Sequence, residues 1–499
     1  MTGARDMLLP ELFRDCGVDA PALRVTNLST SSRRLTPGSL FLACAGQRHH
    51  GLHYLDQALV AGAVAVAWEP AAGVAPPQTP PGVPAFAVPE LGGLQGRLAD
   101  RFYGSPSSEL RVTGITGTNG KTTVAWLVVQ ALESSGRPAA YSGTLGYGRM
   151  PALEATALTT PGSVELHQRL RQFADDGAEH AVVEVSSHAL DQGRVNSVQF
   201  ALAALTNISR DHLDYHGDME HYAAAKARLF LDHAAPAAVI NLGDERSRQL
   251  RNRLPADTDV ITVALVAGGD APPAARLLGR LTATRRDGIG LELSGDFGAA
   301  LIDSRLWGEC NAENLVMAAG ILVGHGLSLD AAAAALSGAV APAGRLERVS
   351  RPGAGPAVIV DFAHTPHALS HALRAVRAHS DGRVWCVFGC GGERDTGKRA
   401  SMGAVAASLA DRVLLTDDNP RDEDPDAIIA DIRSGIADDA GVQVLRDRAQ
   451  AIRFAVRQAG AHDVVLIAGK GHEAVQIAAG QSRAFSDQQT ARDALGEAE

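Results

Sequence analysis

Four lysines stand out in this chain of 499 residues. Of its 46 lysines and arginines, only Lys121, Lys226, Lys398 and Lys470 are lysine. Lysine offers a compact, rotatable amine whose pKa can be lowered, which arginine does not. Each of the four lies in a segment that looks chemical on other grounds. Lys121 sits in GITGTNGKTT, residues 114–123, preceded by apolar Leu110 and Val112 and followed by the apolar run VAWLVVQAL. That is a strand, a glycine-rich turn and the start of a helix. Such a turn points backbone N–H groups and a helix N-terminus at an anion. Lys121 would then reach a terminal phosphate, and the Thr122 hydroxyl a Mg²⁺ ion. The standard P-loop spacing would put glycine at 115, where Ile115 stands; the glycines fall at 114, 117 and 120. A glycine-rich turn without a ligand is the plain alternative, and the flanking strand and helix weigh against it.

Two further segments carry candidates. In EVSSHALDQGR (184–194), Glu184 ends an apolar run and is placed to be a Mg²⁺ ligand, because Mg²⁺ takes few carboxylates alongside phosphate oxygens and water. A helix-capping glutamate is the bland reading. Ser186, His188, Gln192 and Arg194 could hold a polar anionic substrate. In the stretch 206–230, Asp211 and His212 follow a strand, and Lys226 lies on an amphipathic helix among Ala223, Ala224, Ala225 and Ala227. A helical lysine is usually solvated, whereas a buried one tends to become neutral. A neutral amine can react with CO₂ to form a carbamate, an anionic metal ligand.

The elements around these residues suggest three α/β regions. Residues 1–104 read as a small domain with a buried strand after Thr30, a helix near 54–61 and a strand at 63–69. Ser32, Arg33, Gln47, Arg48, His49 and His50 cluster there, and alone they read as a solvated loop. Residues 105–338 alternate strands (180–185, 201–208, 237–242) with helices (164–176, 221–234), followed by a hairpin within 243–305 and a helix at 311–326. That is a doubly wound nucleotide-binding pattern. Residues 339–499 form another such unit, whose apolar runs at 357–364, 383–390, 411–417 and 463–469 each end in a polar motif. Ligands of open parallel sheets bind at those strand ends.

Composition narrows the function. A net charge of −10 argues against general nucleic-acid binding and a basic membrane surface. No run has the apolar length of a membrane span, and the N-terminal stretch lacks a signal-peptide core. A cytoplasmic monomer is expected. The five cysteines lack metal-site spacing and read as reduced, mostly buried thiols.

GITGTNGKTT, TTP at 159–161, EVSSHAL, DHLDYHG followed by AAK, GRLERV, DFAHTPHAL, GCGGERDTGKR, DNPR and GKGHE together resemble the Mur ligase family over nearly the whole chain. The resemblance implies a three-domain α/β architecture: a UDP-binding N-terminal domain, a central P-loop ATPase domain, and a Rossmann-like C-terminal domain for the incoming amino acid. It implies an ATP-dependent ligase that joins diaminopimelate to UDP-N-acetylmuramoyl-L-Ala-D-Glu through an acyl phosphate, in peptidoglycan precursor synthesis. Lys121, Glu184, His212 and Lys226 match catalytic positions. ATP is expected on Gly117, Thr118, Asn119, Gly120, Lys121, Thr122, Thr123, Asn314, Arg345 and Asp361. Mg²⁺ is expected on Thr122, Glu184, His212 and a carbamylated Lys226. The UDP-muramoyl dipeptide matches Ser32, Gln47, Arg48, His49, Thr159, Thr160, Ser186, Gln192 and Arg194. Diaminopimelate matches Arg394, Asp418, Asn419, Pro420, Arg421, Gly469 and Glu473; arginines suit its carboxylates and Glu473 its distal ammonium. Leu158 and Phe362 depart from the family pattern. A lysine-adding sister ligase, a folylpolyglutamate synthase and a non-catalytic nucleotide-binding protein are the alternatives.

Overall fold

The computed structural model describes residues 6–46, 49–266, 275–351, 355–437 and 441–496. They group into two compact units, Met1–Lys121 with Leu132–Ile261, and Thr122–Ala131 with Thr262–Glu499.

The first unit holds a small parallel sheet of Asn27–Ser29, Ser39–Ala43, Ala63–Trp68 and Ala85–Ala87. Its second strand, SLFLA, is buried on both faces, as a parallel strand between neighbours must be. The helix expected near 54–61 covers Leu55–Val60 after a 3₁₀ turn at Gly51–Tyr54. The second sheet of this unit centres on Arg111–Thr116. It pairs in parallel with His180–Glu184 on one side and Leu202–Leu205 on the other. Ala139–Gly143 flanks His180–Glu184, and Ala237–Asn241 flanks Leu202–Leu205. The expected strand at 201–208 is thus shorter, because beyond Leu205 the chain turns its polar groups toward the glycine-rich loop. Helices Ser163–Asp175 and Met219–Leu231 agree with expectation within a few residues.

The second unit begins with the expected hairpin. Leu277–Arg285 pairs antiparallel with Gly288–Gly295, and Gly298–Ser304 adds a third strand. Its other sheet has the order Glu347–Arg348, Ala357–Asp361, Val464–Ala468, Val384–Phe388, Arg412–Leu415, Val442–Val444, parallel except for the first pair. Helices Pro366–Ala378, Lys398–Leu409 and Pro425–Arg433 close a core on one face. Arg448–Gln458 and Asp487–Leu495 close the other. The three central strands, Ala357–Asp361, Val384–Phe388 and Val464–Ala468, are short and buried except for Asp361 at a carboxyl end.

One ion pair in this unit lies out of reach of water. Arg448 and Asp487 are both 0% exposed, with Arg448 Nε 2.7 Å and Nη2 2.8 Å from the two carboxylate oxygens. Nη2 also donates to the Ala468 carbonyl at 2.9 Å. Asp487→Ala would strand a buried guanidinium, and denaturant titration should show a loss of about 3–5 kcal/mol.

Candidate active site

The strand Arg111–Thr116 delivers the chain into the glycine-rich turn, and helix Lys121–Ser134 leaves it. Gly117 has φ 148° and Gly120 φ 85°, backbone states that favour glycine. A Cβ on Gly117 would also stand 1.9 Å from Thr206 Oγ1. The turn is clamped from the neighbouring strand end. Thr118 N–H donates to the Asn207 carbonyl at 2.8 Å, Asn119 N–H to Asn207 Oδ1 at 3.0 Å, and Thr206 Oγ1 to the Asn119 carbonyl at 2.6 Å.

Two of the four lysines meet on this turn. Lys121 Nζ donates to the carbonyls of Gly117 (2.8 Å) and Thr118 (3.0 Å). Lys226 Nζ donates to the same Gly117 carbonyl at 2.7 Å. Lys226 is 1% exposed, and its ammonium lies 4.5 Å from the centre of the Tyr222 ring. Burial, reinforced by the charge of Lys121 and opposed by Asp211, holds its pKa well below the ordinary lysine value. Tyr222 is tied to the turn through its hydroxyl, 3.0 Å from Thr118 Oγ1.

Glu184 ends its strand fully buried. Its Oε1 accepts from the Tyr141 hydroxyl and from Thr144 N–H at 2.9 Å, and Thr144 Oγ1 reaches Oε2 at 3.3 Å. Thr144 Oγ1 also lies 3.0 Å from Thr159 Oγ1. Thr160 Oγ1 donates to the Glu184 carbonyl at 2.7 Å and accepts from Ser186 N–H at 3.0 Å. Arg194 Nη1 donates to the Thr160 carbonyl at 3.0 Å, and Arg194 Nη2 to Gln192 Oε1 at 2.6 Å. The expected dipeptide residues Thr159, Thr160, Ser186, Gln192 and Arg194 therefore form one connected wall with Glu184. His212 has φ 51° and packs edge-on against His188, ring centres 4.8 Å apart. Burial, with the charges of His212 and His216, lowers the His188 pKa.

The residues expected to meet UDP are more loosely organised. Ser32 Oγ donates to Gln57 Oε1 at 3.1 Å, and His49 stacks on His53 with ring centres 5.4 Å apart. Gln47 and Arg48 lie outside the described residues. His50 has a structural job instead: Nδ1 accepts from Leu52 N–H at 3.1 Å, and Nε2 lies 2.9 Å from the Glu69 carbonyl. Leu158 is 49% exposed, and its carbonyl accepts from Thr156.

In the second unit the site residues again sit beyond strand ends. Asp361 receives the N–H groups of Leu346 (2.8 Å) and Ala363 (2.9 Å), while burial pushes its pKa up. The Arg345 guanidinium lies 4.8 Å from the centre of the Phe362 ring, so the phenyl face serves where a tyrosine was the family pattern. Asn314 donates to Asn311 Oδ1 at 3.1 Å. Thr122 and Thr123 are buried at the start of their helix.

Arg421, with φ 54°, donates from Nη1 to the Gly392 carbonyl at 2.7 Å. Its side chain and that of the exposed Arg394 both flank Gly391. Pro420 and Arg421 line an open groove with residues 422–425, Ala478 and Ala479. Asn419 Nδ2 donates to Glu473 Oε2 at 2.9 Å. Asp418 is buried, which raises its pKa, and faces Gly469, where a Cβ would lie 2.6 Å from its Oδ2. Lys398 donates to the His364 carbonyl at 2.8 Å.

Several contributors escaped the sequence reading. Tyr141 and Thr144, which hold Glu184, sit in segments without a motif. Asn207 and Tyr222, which brace the turn, were visible only as members of a polar stretch. Among the described residues, no three His, Cys, Asp or Glu side chains gather to hold a metal by themselves. A Mg²⁺ ion fits this donor set, since it shares few carboxylates with phosphate oxygens and water.

Models of three segments of one family match the chain: "Mur ligase family, catalytic domain" over residues 24–103, "Mur ligase middle domain" over 115–322, and "Mur ligase, glutamate ligase domain" over 344–471. A protein of Alkalilimnicola ehrlichii named UDP-N-acetylmuramoyl-L-alanyl-D-glutamate–2,6-diaminopimelate ligase is 47% identical, covering 100% of both chains. The chain belongs to the Mur ligase family. It has the three-domain Mur ligase α/β fold and is an ATP-dependent ligase. A protein of the same name from Xanthomonas campestris pv. campestris is 45% identical over 99% of this chain and 98% of its own. A solved structure titled as the same ligase superposes with TM-score 0.71 at 33% identity, covering 98% and 99% of the two chains. Among the described residues no helix of this Mur ligase is long and apolar enough to cross a membrane.

The tight fit at Gly117 makes a direct test of the loop. Gly117→Ala should abolish the ATP-dependent rise in melting temperature while the protein still unfolds cooperatively, measured by thermal denaturation with and without nucleotide.

Proposed function

We propose that this Mur ligase joins diaminopimelate to the D-glutamate carboxylate of UDP-N-acetylmuramoyl-L-Ala-D-Glu. The observation that carries the reading is the pairing of Arg394 and Arg421 beside Gly391 with a half-buried Glu473 held from one side by Asn419. Two guanidinium groups suit carboxylates, and a carboxylate suits a second ammonium. An amino acid with a second carboxylate and a second amine fits that set better than lysine, which lacks the second carboxylate.

In this reading the glycine-rich turn and Lys121 receive the ATP phosphates. A carboxylate oxygen of the dipeptide attacks the γ-phosphorus, ADP leaves, and an acyl phosphate forms. The amine of diaminopimelate attacks the acyl carbon, gives up a proton and expels phosphate, leaving an amide. Thr122, Glu184, His212 and a carbamylated Lys226 would hold Mg²⁺, which when bound neutralises phosphate charge as it accumulates. The buried Lys226 amine, its pKa lowered by burial, is suited in its neutral form to adding to the carbon of CO₂ with loss of a proton. Asn314, Arg345 and Asp361 are assigned to the nucleotide. Thr159, Thr160, Ser186, Gln192 and Arg194 are assigned to the muramoyl dipeptide, and Ser32 with residues 47–49 to its UDP end. Domain bounds of 1–104, 105–338 and 339–499, a monomeric state and a cytoplasmic location complete the proposal.

Phosphate release with UDP-MurNAc-dipeptide should respond to diaminopimelate far more than to lysine, and equal responses would overturn the assignment. Arg421→Ala should raise the KM for diaminopimelate at least about tenfold, the size expected for a lost charge-assisted pair, with ATP binding nearly unchanged. Activity should fall in CO₂-depleted buffer and return with bicarbonate. Lys226→Arg, whose guanidinium cannot form the carbamate, should be nearly inactive in both; activity like the parent's would refute the modification.

A further inference from the structure

Of the two lysines that the ligation chemistry above does not use, Lys398 donates to the His364 carbonyl and Lys470 is the buried one. It is 0% exposed. Its Nζ donates to Glu473 Oε2 at 2.8 Å and to Asn419 Oδ1 at 3.0 Å. Asn419 Nδ2 donates to that same Glu473 oxygen at 2.9 Å, and Asn419 Oδ1 also accepts from Ile477 N–H at 3.0 Å. The Asn419 amide is locked by this pattern, because a flip would set its NH₂ against two donors. Glu473 Oε2 is thereby taken by two donors. Among the described residues Oε1 takes no hydrogen bond, and the Glu473 side chain keeps 34% of its surface open.

The charges around it point the same way. Arg448 lies against Asp487 in full burial, Lys470 against Glu473, and Asp418 is buried beside them. Arg448 and Lys470 are each matched to one carboxylate, and Lys470 occupies only one oxygen of Glu473. An ammonium brought to Oε1 would pair with the other oxygen, and a neutral group would not. Burial raises the Glu473 pKa, but the Lys470 and Asn419 contacts outweigh it and bring the group below its ordinary value, keeping it anionic. The amine type matters too. Lys470 reaches two acceptors from a narrow, sealed position, which a planar guanidinium could not occupy without displacing Asn419.

We propose that Lys470 is a positioning and specificity-determining residue: it fixes Asn419 and one oxygen of Glu473 so that the other oxygen receives the second ammonium of a diamino acid. This rests on the diaminopimelate reading given above. Lys470 itself touches no substrate in this arrangement. Its effect is on which amino acid is accepted, not on the phosphoryl or acyl transfer.

The decisive comparison is diaminopimelate against 2-aminopimelate, which keeps both carboxylates and lacks the second amine. The parent should prefer diaminopimelate strongly in kcat/KM. Lys470→Met should shrink that preference at least about tenfold, as expected when a charge-assisted network is lost. The change should come through the KM for diaminopimelate, with the KM values for ATP and UDP-MurNAc-dipeptide unchanged. A folded Lys470→Met with the parent's preference, or with both amino acids slowed equally, would overturn the proposal. Should Lys470→Met not fold, Lys470→Gln, whose amide can serve Glu473 or Asn419 but not both, is judged by the same ratio; loss of folding in both variants also overturns it, in favour of a purely structural lysine. A parent that turns over no diaminopimelate refutes the substrate reading instead, before any variant is made.

Discussion

One carbonyl oxygen, that of Gly117, accepts hydrogen bonds from two lysine side chains, one of them almost fully buried. Two ammonium groups sharing one neutral acceptor away from water is a poor arrangement unless one gives up its proton or an anion arrives. The first unit is shaped around that tension. Its glycines permit the turn, its neighbouring strand end clamps it, and Tyr222 covers Lys226 while gripping Thr118. A protein in this state is prepared for negative charge, in the form of phosphate or of an anion made on Lys226 itself. The same turn in a hydrolase would need only Lys121; the second, concealed lysine is what turns attention from hydrolysis to ligation.

The second unit meets a related problem with opposite sign. Here Lys470 occupies one oxygen of Glu473 and leaves the other open to a ligand. Both halves of the protein thus hold charged groups where water screens them poorly. Such sites discriminate well, because a buried group left unpaired costs more than a good pair gains. Rigidity follows from the same cause: Glu184 Oε1 and Glu473 Oε2 are held by fixed donors and the Lys121 and Lys470 ammonium groups by fixed acceptors, with few alternative arrangements of similar energy.

Much of this was legible in the residues. GITGTNGKTT carries its own structural context, since a strand, positive-φ glycines and a helix start can be read from neighbouring residues. The scarcity of lysine singled out Lys121, Lys226, Lys398 and Lys470, and the structure buries two of them, Lys226 and Lys470. What could not be read depends on partners brought together by sheet pairing. Glu184 is held by Tyr141 and Thr144 because His180–Glu184 lies in parallel register beside Ala139–Gly143, and no spacing along the chain encodes that. The Asn419–Glu473 contact joins two motifs that were recognised separately, yet nothing in either shows which oxygen is occupied. Strand 201–208 was drawn too long because its last residues look apolar enough to continue, although Thr206 and Asn207 are needed by the turn.

The Arg448–Asp487 pair has a bearing on the order in which the protein becomes functional as it is made. Arg448 leaves the ribosome well before Asp487, and so do Asp418, Asn419 and Lys470. Until the helix that carries Asp487 has emerged and docked, a guanidinium bound for the sealed core has no counter-ion and the cluster beside the amino-acid groove cannot settle. The amino-acid pocket of this ligase therefore depends on a helix that follows, in the chain, every residue proposed to line it.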